Sequence, residues 1–213
     1  LWALLTYSYD SFRILPMLGV VSLEKRCGKT TLLEVLLGFV FKGVPASNIS
    51  TATVYRVVSK HYPTLLIDEA DTTLENNDEL RGILNCGHTR ALAYVMRTNP
   101  DTMEEERFCT FSPKVVAKIG KLPDTLHDRS INIQLRRRLP HEKIVPLDID
   151  FMDNQVTVRR KCLRWAKDNG HLLRDVEVER PEISNDRAVE NWLPLLAIAR
   201  TCGELCYVEA YAD

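Results

Sequence analysis

Much can be excluded from what this sequence does without. It has no apolar run long enough to cross a bilayer. The longest, Leu32 to Phe41, is interrupted by Glu34 and falls short of the roughly 20 residues a membrane helix needs. That run suits a buried helix instead. It has no cysteines at metal-ligand spacing. The six stand at 27, 86, 109, 162, 202 and 206, and Cys86-Gly87-His88 lacks a second ligand pair at zinc spacing. Isolated thiols in a reducing cytosol are the expected state. Charge of one sign is also missing. With 28 basic and 29 acidic residues and a net charge of −1, nothing in the total announces a nucleic-acid binder, although a local basic surface stays open. No internal repeat, low-complexity tract or secretory signal pattern is visible. The chain begins at Leu1 with no initiator methionine, so we expect a piece of a longer protein.

What is present is ordinary globular material, 45% hydrophobic and 27% charged. Its 213 residues are enough for one α/β core and a small appended subdomain. The informative stretch is Ile14 to Leu37. An apolar run ends at Val21, a polar loop follows, and Gly28-Lys29-Thr30-Thr31 opens an apolar helix. A helix start offers free N–H groups and a positive dipole end, a natural seat for phosphate. Glu24, Lys25, Arg26, Cys27, Gly28, Lys29, Thr30 and Thr31 form the candidate nucleotide-binding segment. Lys29 would neutralise terminal phosphates, and the Thr30 hydroxyl would ligate Mg²⁺. One position departs from the usual phosphate-loop pattern: Leu23 stands where a glycine is expected, five residues before Gly28.

A second stretch complements the first. Thr64-Leu65-Leu66-Ile67 ends abruptly in Asp68-Glu69-Ala70-Asp71. A buried parallel strand reads as such an apolar run, and ligands gather at the carboxyl ends of such strands. Asp68 is the candidate Mg²⁺ ligand, and Glu69 the candidate base for the attacking water. Asp71-Thr72-Thr73 reads as the cap of a following helix, with Asp71 as the reserve base.

Periodicity predicts an entry helix over 1–12, a strand over 14–22 and a helix over 29–42 stopped by Gly43-Val44-Pro45. A short strand at 48–52, a helix from Thr53 to His61, the acidic strand at 64–68 and a helix at 77–87 follow. Residues 92–111 read as a hairpin with a polar tip. Val115 to Ile119 reads as a short helix, Leu122 to Leu126 starts another, and Ile131 to Leu135 alternates as a strand. Beyond the basic linker Arg136-Arg137-Arg138 come helices near 153–169 and 186–202, with Pro194 expected in the first turns of the latter. The expected division is a core over 1–138 and a helical subdomain over 139–213.

In this order the segments resemble an AAA+ ATPase module. The residues that carry the likeness are Ser22 to Thr30, Thr64 to Asp71, Phe111-Ser112-Pro113-Lys114, Gly120 to Ile133, and Asp186-Arg187 through Ala197. Within that group the chain is similar to a family of unknown function found in bacterial, phage and plasmid proteins and often joined to primase–helicase regions. The resemblance implies an α/β fold, a P-loop NTPase parallel-sheet core with a small C-terminal helical lid. It implies that Arg129 is the arginine finger reaching a neighbour's nucleotide, against a structural ion pair with Asp128 or Asp124. It implies that Arg187 contacts the γ-phosphate in cis, against a solvated residue, and that Ser112 or Thr110 is the polar sensor. Asp68-Glu69-Ala70-Asp71 also spells the signature of a helicase class with two paired domains, for which this chain is too short. The expected activity is Mg²⁺-dependent ATP hydrolysis in a cytoplasmic homo-oligomer such as a hexameric ring, coupled as in helicases to movement on nucleic acid. The hairpin with Lys114, Lys118 and Lys121 is the candidate contact for that nucleic acid. Two rivals are an ATP-gated oligomerisation switch in a phage-related or defence complex, and a degenerate scaffold, which would not need Glu69.

Overall fold

The structure, a computed structural model, describes residues 1–70, 74 and 77–212. Asp71, Thr72 and Thr73 lie outside the described residues, and with them the helix-cap and reserve-base expectations. Five strands form one all-parallel sheet: β1 (Met17–Ser22), β2 (Gly43–Pro45), β3 (Thr64–Ile67), β6 (Lys114–Ile119) and β7 (Ser130–Leu135). Their order across the sheet is β2-β3-β6-β1-β7. Strands β4 (Tyr94–Thr98) and β5 (Glu105–Cys109) make a separate antiparallel hairpin.

Parallel strands need crossovers, and these carry helices onto both faces. On one face lie α1 (Trp2–Ser8) and α2 (Lys29–Phe39), with Trp2, Leu5 and Leu33 packed over Leu18, Val20, Leu66 and Val115. On the other lie α3 (Thr51–His61) and α4 (Asp78–Cys86). Their Val54, Val58, Leu80 and Leu84 cover Leu65, Ile67 and Val116. The alternation of Leu65 and Ile67 against Leu66 is the two-residue period of a strand buried on both sides.

Several sequence expectations are corrected. Residues 115–119, expected as a helix, belong to β6, which pairs with both β1 and β3. A short apolar run of β-branched residues reads equally as helix or strand; burial on both faces decided it. Gly43-Val44-Pro45 is strand β2 rather than a helix stop. It lies at the sheet edge, where proline's missing donor costs no ladder bond. The strand expected at 48–52 is absent, because Ser50 caps α3 by accepting from the Thr53 amide at 3.2 Å.

Behind α5 (Asp124–His127) and β7 come α6 (Phe151–Asn154), α7 (Val156–Asn169), α8 (Asp186–Cys202) and α9 (Glu204–Ala212). Pro194 sits mid-way along α8, not in its first turns. The lid expectation is also corrected. Arg159 donates to the Gly38 carbonyl at 3.0 Å, and Phe151 packs edge-on to Phe39 at 6.1 Å. Both contacts are at the end of α2 remote from Lys29. Leu195, Ala197 and Ile198 share one cluster with Trp2, Leu5 and Leu15. The tail helices therefore complete the core at the far end of α2 instead of covering the loop before it.

Candidate functional site

The loop between β1 and α2 stands at the carboxyl end of the sheet. Leu23, Glu24, Lys25, Arg26, Gly28, Thr30 and Thr31 are exposed, and Cys27 and Lys29 half-buried. Arg26 (φ 67°) and Gly28 (φ 85°) take left-handed backbone, which folds the loop back on itself. A side chain at Gly28 would meet nothing within 4 Å, so its requirement is conformational, not steric. The buried Ser22 hydroxyl donates to the Glu24 carbonyl at 2.7 Å, and the Lys29 ammonium donates to Ser22 Oγ at 2.7 Å. The lysine is thus drawn over the loop mouth.

The acidic strand end comes to meet it. Thr30 Oγ1 donates to Asp68 Oδ2 at 3.0 Å. Asp68 Oδ1 accepts from the Glu69 amide at 2.8 Å. Glu69 has φ 52°, a left-handed conformation that costs about 1–3 kcal/mol for a residue with a side chain and that Lys42, Asn48, Tyr62 and Met103 also adopt elsewhere in the chain. A hydroxyl and a carboxylate together are hard oxygen donors. No cluster of three or more His, Cys, Asp or Glu side chains suited to a metal occurs among the described residues. Two protein oxygens suit Mg²⁺, which takes its other ligands from water and substrate phosphates. Beside the pair a cavity of about 260 Å³ is lined by Thr30, Glu34, Pro45, Ser47 and Asp68.

One residue at this end was missed from sequence. Arg137, just past β7, donates to the Lys25 carbonyl at 3.2 Å and pairs with Glu24 at 3.0 Å. Its neighbour Arg136 is engaged by Glu142, whose pKa the guanidinium pulls down to about 2. The basic run was read as a linker, and only the pairing of β7 beside β1 brings it to the loop.

Ser112 and Thr110 are not at this end. They precede β6, the Ser112 hydroxyl donates to the Pro63 carbonyl, and Thr110 Oγ1 is buried without a partner. The sensor expectation is corrected: misreading β6 as a helix shifted the strand end by its whole length. The polar residue that β6 does bring toward the loop is Lys118, in register with Val21 and two steps beyond the Ile67–Val116 pair.

Arg129 and Arg187 meet at the opposite end. The Arg129 carbonyl accepts from the Met17 amide at 2.9 Å, at the start of β1. Its guanidinium donates to the Thr125 carbonyl at 2.8 Å. No carboxylate among the described residues lies within salt-bridge distance of it, although the charge of Asp128 acts on it. Burial, and the nearby Arg187, lower its pKa. Arg187 lies 3.7 Å from Asp128. The cis expectation for Arg187 is therefore corrected, because the length of β1, roughly 16 Å, separates it from its own loop. Beneath the two arginines is a buried brace. His88 Nε2 shares a 2.8 Å bond with Asn191 Oδ1, and Asn191 Nδ2 donates to the Asp128 carbonyl at 2.9 Å. Since that amide uses its nitrogen on Asp128, Nε2 of His88 carries the proton. Burial keeps His88 neutral by lowering its pKa.

The expected nucleic-acid contacts fare poorly. Lys114 is fully buried, donates to the carbonyls of Thr110 and Ser112 at 2.9 and 2.7 Å, and has its pKa lowered to about 8 by burial. Lys118 is 6% exposed. Only Lys121 faces solvent. Over β4, β5 and their connection, Arg97 and Arg107 are outnumbered by Asp101, Glu104, Glu105 and Glu106. Arg97 pairs with Glu79 and Arg107 stacks on Tyr94. An acidic hairpin repels a polyanion.

Comparison with known proteins gives partial likenesses. Residues 134–206 match a family described as a protein of unknown function, DUF3631. That span starts in β7 and ends in α9, and so excludes the loop and Asp68. The fold is similar to the A-form apo structure of the NrS-1 C-terminal region, with a TM-score of 0.48 and 14% identity over 89% of this chain. It is similar to an inhibitor-bound JCV helicase, with a TM-score of 0.42 and 13% identity over 99% of this chain. The chain spans 41% and 53% of those two proteins. No curated protein matches it. No helix among the described residues is long and apolar enough to cross a membrane.

Proposed function

We propose that this chain is a Mg²⁺-dependent ATPase of the P-loop, AAA+-like kind, in a helicase-related role, working as an assembly of copies. The observation that carries the reading is the 3.0 Å bond between Thr30 and Asp68. Two segments 38 residues apart, each read separately as half of a nucleotide site, are in contact through the two atoms expected to share a metal. The loop amides and Lys29 receive the phosphates. Thr30 and Asp68 hold Mg²⁺, which neutralises charge on the phosphate oxygens when bound. Glu69 takes the proton of the attacking water. Arg129, too far from its own loop to act there, serves a neighbouring copy.

A second reading has its own observation. The acidic hairpin and the two buried lysines favour an ATP-gated oligomerisation switch over a motor that moves on nucleic acid. Turnover with and without single-stranded DNA or RNA separates them: a motor accelerates and a switch does not. Glu69→Gln should accumulate bound ATP without hydrolysing it. Normal turnover by that variant would remove the assignment of Glu69.

A further inference from the structure

The far end of the sheet holds a cavity of about 350 Å³ lined by Arg13, Arg129, Arg187, His88, Thr89 and Glu190, among others. Its charges do not balance. Glu190, the lining carboxylate, pairs with Arg13. Asp128 is left to Arg187 at 3.7 Å, with both side chains more than 40% exposed, and such a contact contributes little. The Arg129 guanidinium donates to a backbone carbonyl and shares the charge of Asp128 with Arg187. Two guanidiniums thus stand together with a single exposed carboxylate. Repulsion of this kind persists where an anion completes the group. The pair is also fixed in place. The His88–Asn191–Asp128 brace ties α8, which carries Arg187, to the residue before Arg129. The chain's own phosphate loop lies a full strand length away and cannot supply the anion.

We propose that Arg187 works in trans beside Arg129, the two forming one receptor for the terminal phosphate of a nucleotide bound by a neighbouring copy. This rests on the nucleotide-site reading above. It reverses the side on which resemblance would place Arg187. A planar donor fork from each arginine can together engage all the free oxygens of one terminal phosphoryl group, whereas a single fork reaches two.

The test is subunit mixing. Arg187→Ala, with Arg187→Gln as a milder second variant, is prepared alongside Arg129→Ala and Lys29→Ala, each checked for folding by circular dichroism. Taken singly, Arg187→Ala should bind a fluorescent ATP analogue within about twofold of the unaltered chain and hydrolyse ATP at least about tenfold more slowly. Mixed with Lys29→Ala, it should regain activity, because an intact loop on one subunit meets an intact receptor on the other. Mixed with Arg129→Ala, it should not, because every receptor lacks one arginine. A cis role gives the reverse pattern: no rescue by Lys29→Ala and rescue by Arg129→Ala. That pattern, or unchanged hydrolysis in both Arg187 variants, overturns the proposal. Loss of single-stranded oligonucleotide binding with normal ATPase would also overturn it, by assigning the pocket to nucleic-acid phosphates. If Lys29→Ala binds the analogue normally, the loop assignment itself fails, a result distinct from any of the mixing patterns.

Discussion

The two ends of the parallel sheet are built in opposite ways. At the carboxyl end, most loop residues are exposed, held by local bonds such as Ser22 to Glu24 and Lys29 to Ser22 and by surface contacts from Asp68 and Arg137. At the amino end, the arginines rest on a buried brace assembled from residues 88, 128 and 191. One end is open to solvent. The other sets exposed charge on a buried, hydrogen-bonded support. On the proposed function the first is a receiving end and the second an acting end, which copies set head to tail would join.

The largest effect that would sharpen this contrast is on binding. Lys29→Ala should weaken a fluorescent ATP analogue by at least about a hundredfold, some 2.7 kcal/mol, whereas Arg129→Ala should change it by less than about threefold. Equal losses at the two ends would break the comparison.

Hydrolysis should show the reverse dependence on assembly. Arg129→Ala should turn over at least about a hundredfold more slowly, the lower side of what a finger contributes. Mixing with Lys29→Ala should restore part of the rate. Robust turnover by a strict monomer, established by light scattering, would remove the acting end altogether.

The third effect is acid sensitivity. His88 is buried neutral with its pKa lowered, so the unfolded chain takes up the proton first. Its contribution is complete above about pH 6.5 and is lost as pH falls toward the folded value. Melting should drop by about 2–4 °C per kcal/mol lost between pH 7.5 and 5.5. His88→Asn should flatten that drop. Glu142, whose pKa is about 2, changes charge below this window and does not confuse it. An unchanged slope in the variant would show that the brace does not titrate.

The smallest effect is at Arg137. Its ion pair with Glu24 is half exposed and of a kind that contributes about 0–1 kcal/mol. Arg137→Ala should weaken ATP-analogue binding by about twofold to fivefold through a looser loop. A loss as large as that of Lys29→Ala would make Arg137 a direct phosphate ligand.

Legibility from sequence follows the same division. The strand, loop and helix around Gly28 and the strand that ends before Asp68 were readable as elements because each signal is contiguous: an apolar run, a polar break, and a glycine-led helix start. Helix α8 was readable to its ends because Asn185 caps it and Gly203 stops it. β6 was not, since Val115-Val116-Ala117 carries no period that separates helix from buried strand, and that one misreading carried the sensor to the wrong end. Resemblance supplied residue roles but not their side of the molecule, which is how Arg187 came to be placed in cis.

The amino-acid sequence by itself determined the chemistry on offer: a lysine and a threonine at a glycine-led helix start, a paired Asp-Glu, and two arginines near helix ends. Local rules of capping, apolar period and turn preference suffice for that, because they act over a few residues. Only the tertiary structure decided which of these groups meet. The 3.0 Å contact of Thr30 with Asp68, the reach of Arg137 to the loop, and the separation of Arg187 from it all depend on strand order. Strand order is set by burying two faces of one sheet at once, a condition on the whole chain that no single segment carries.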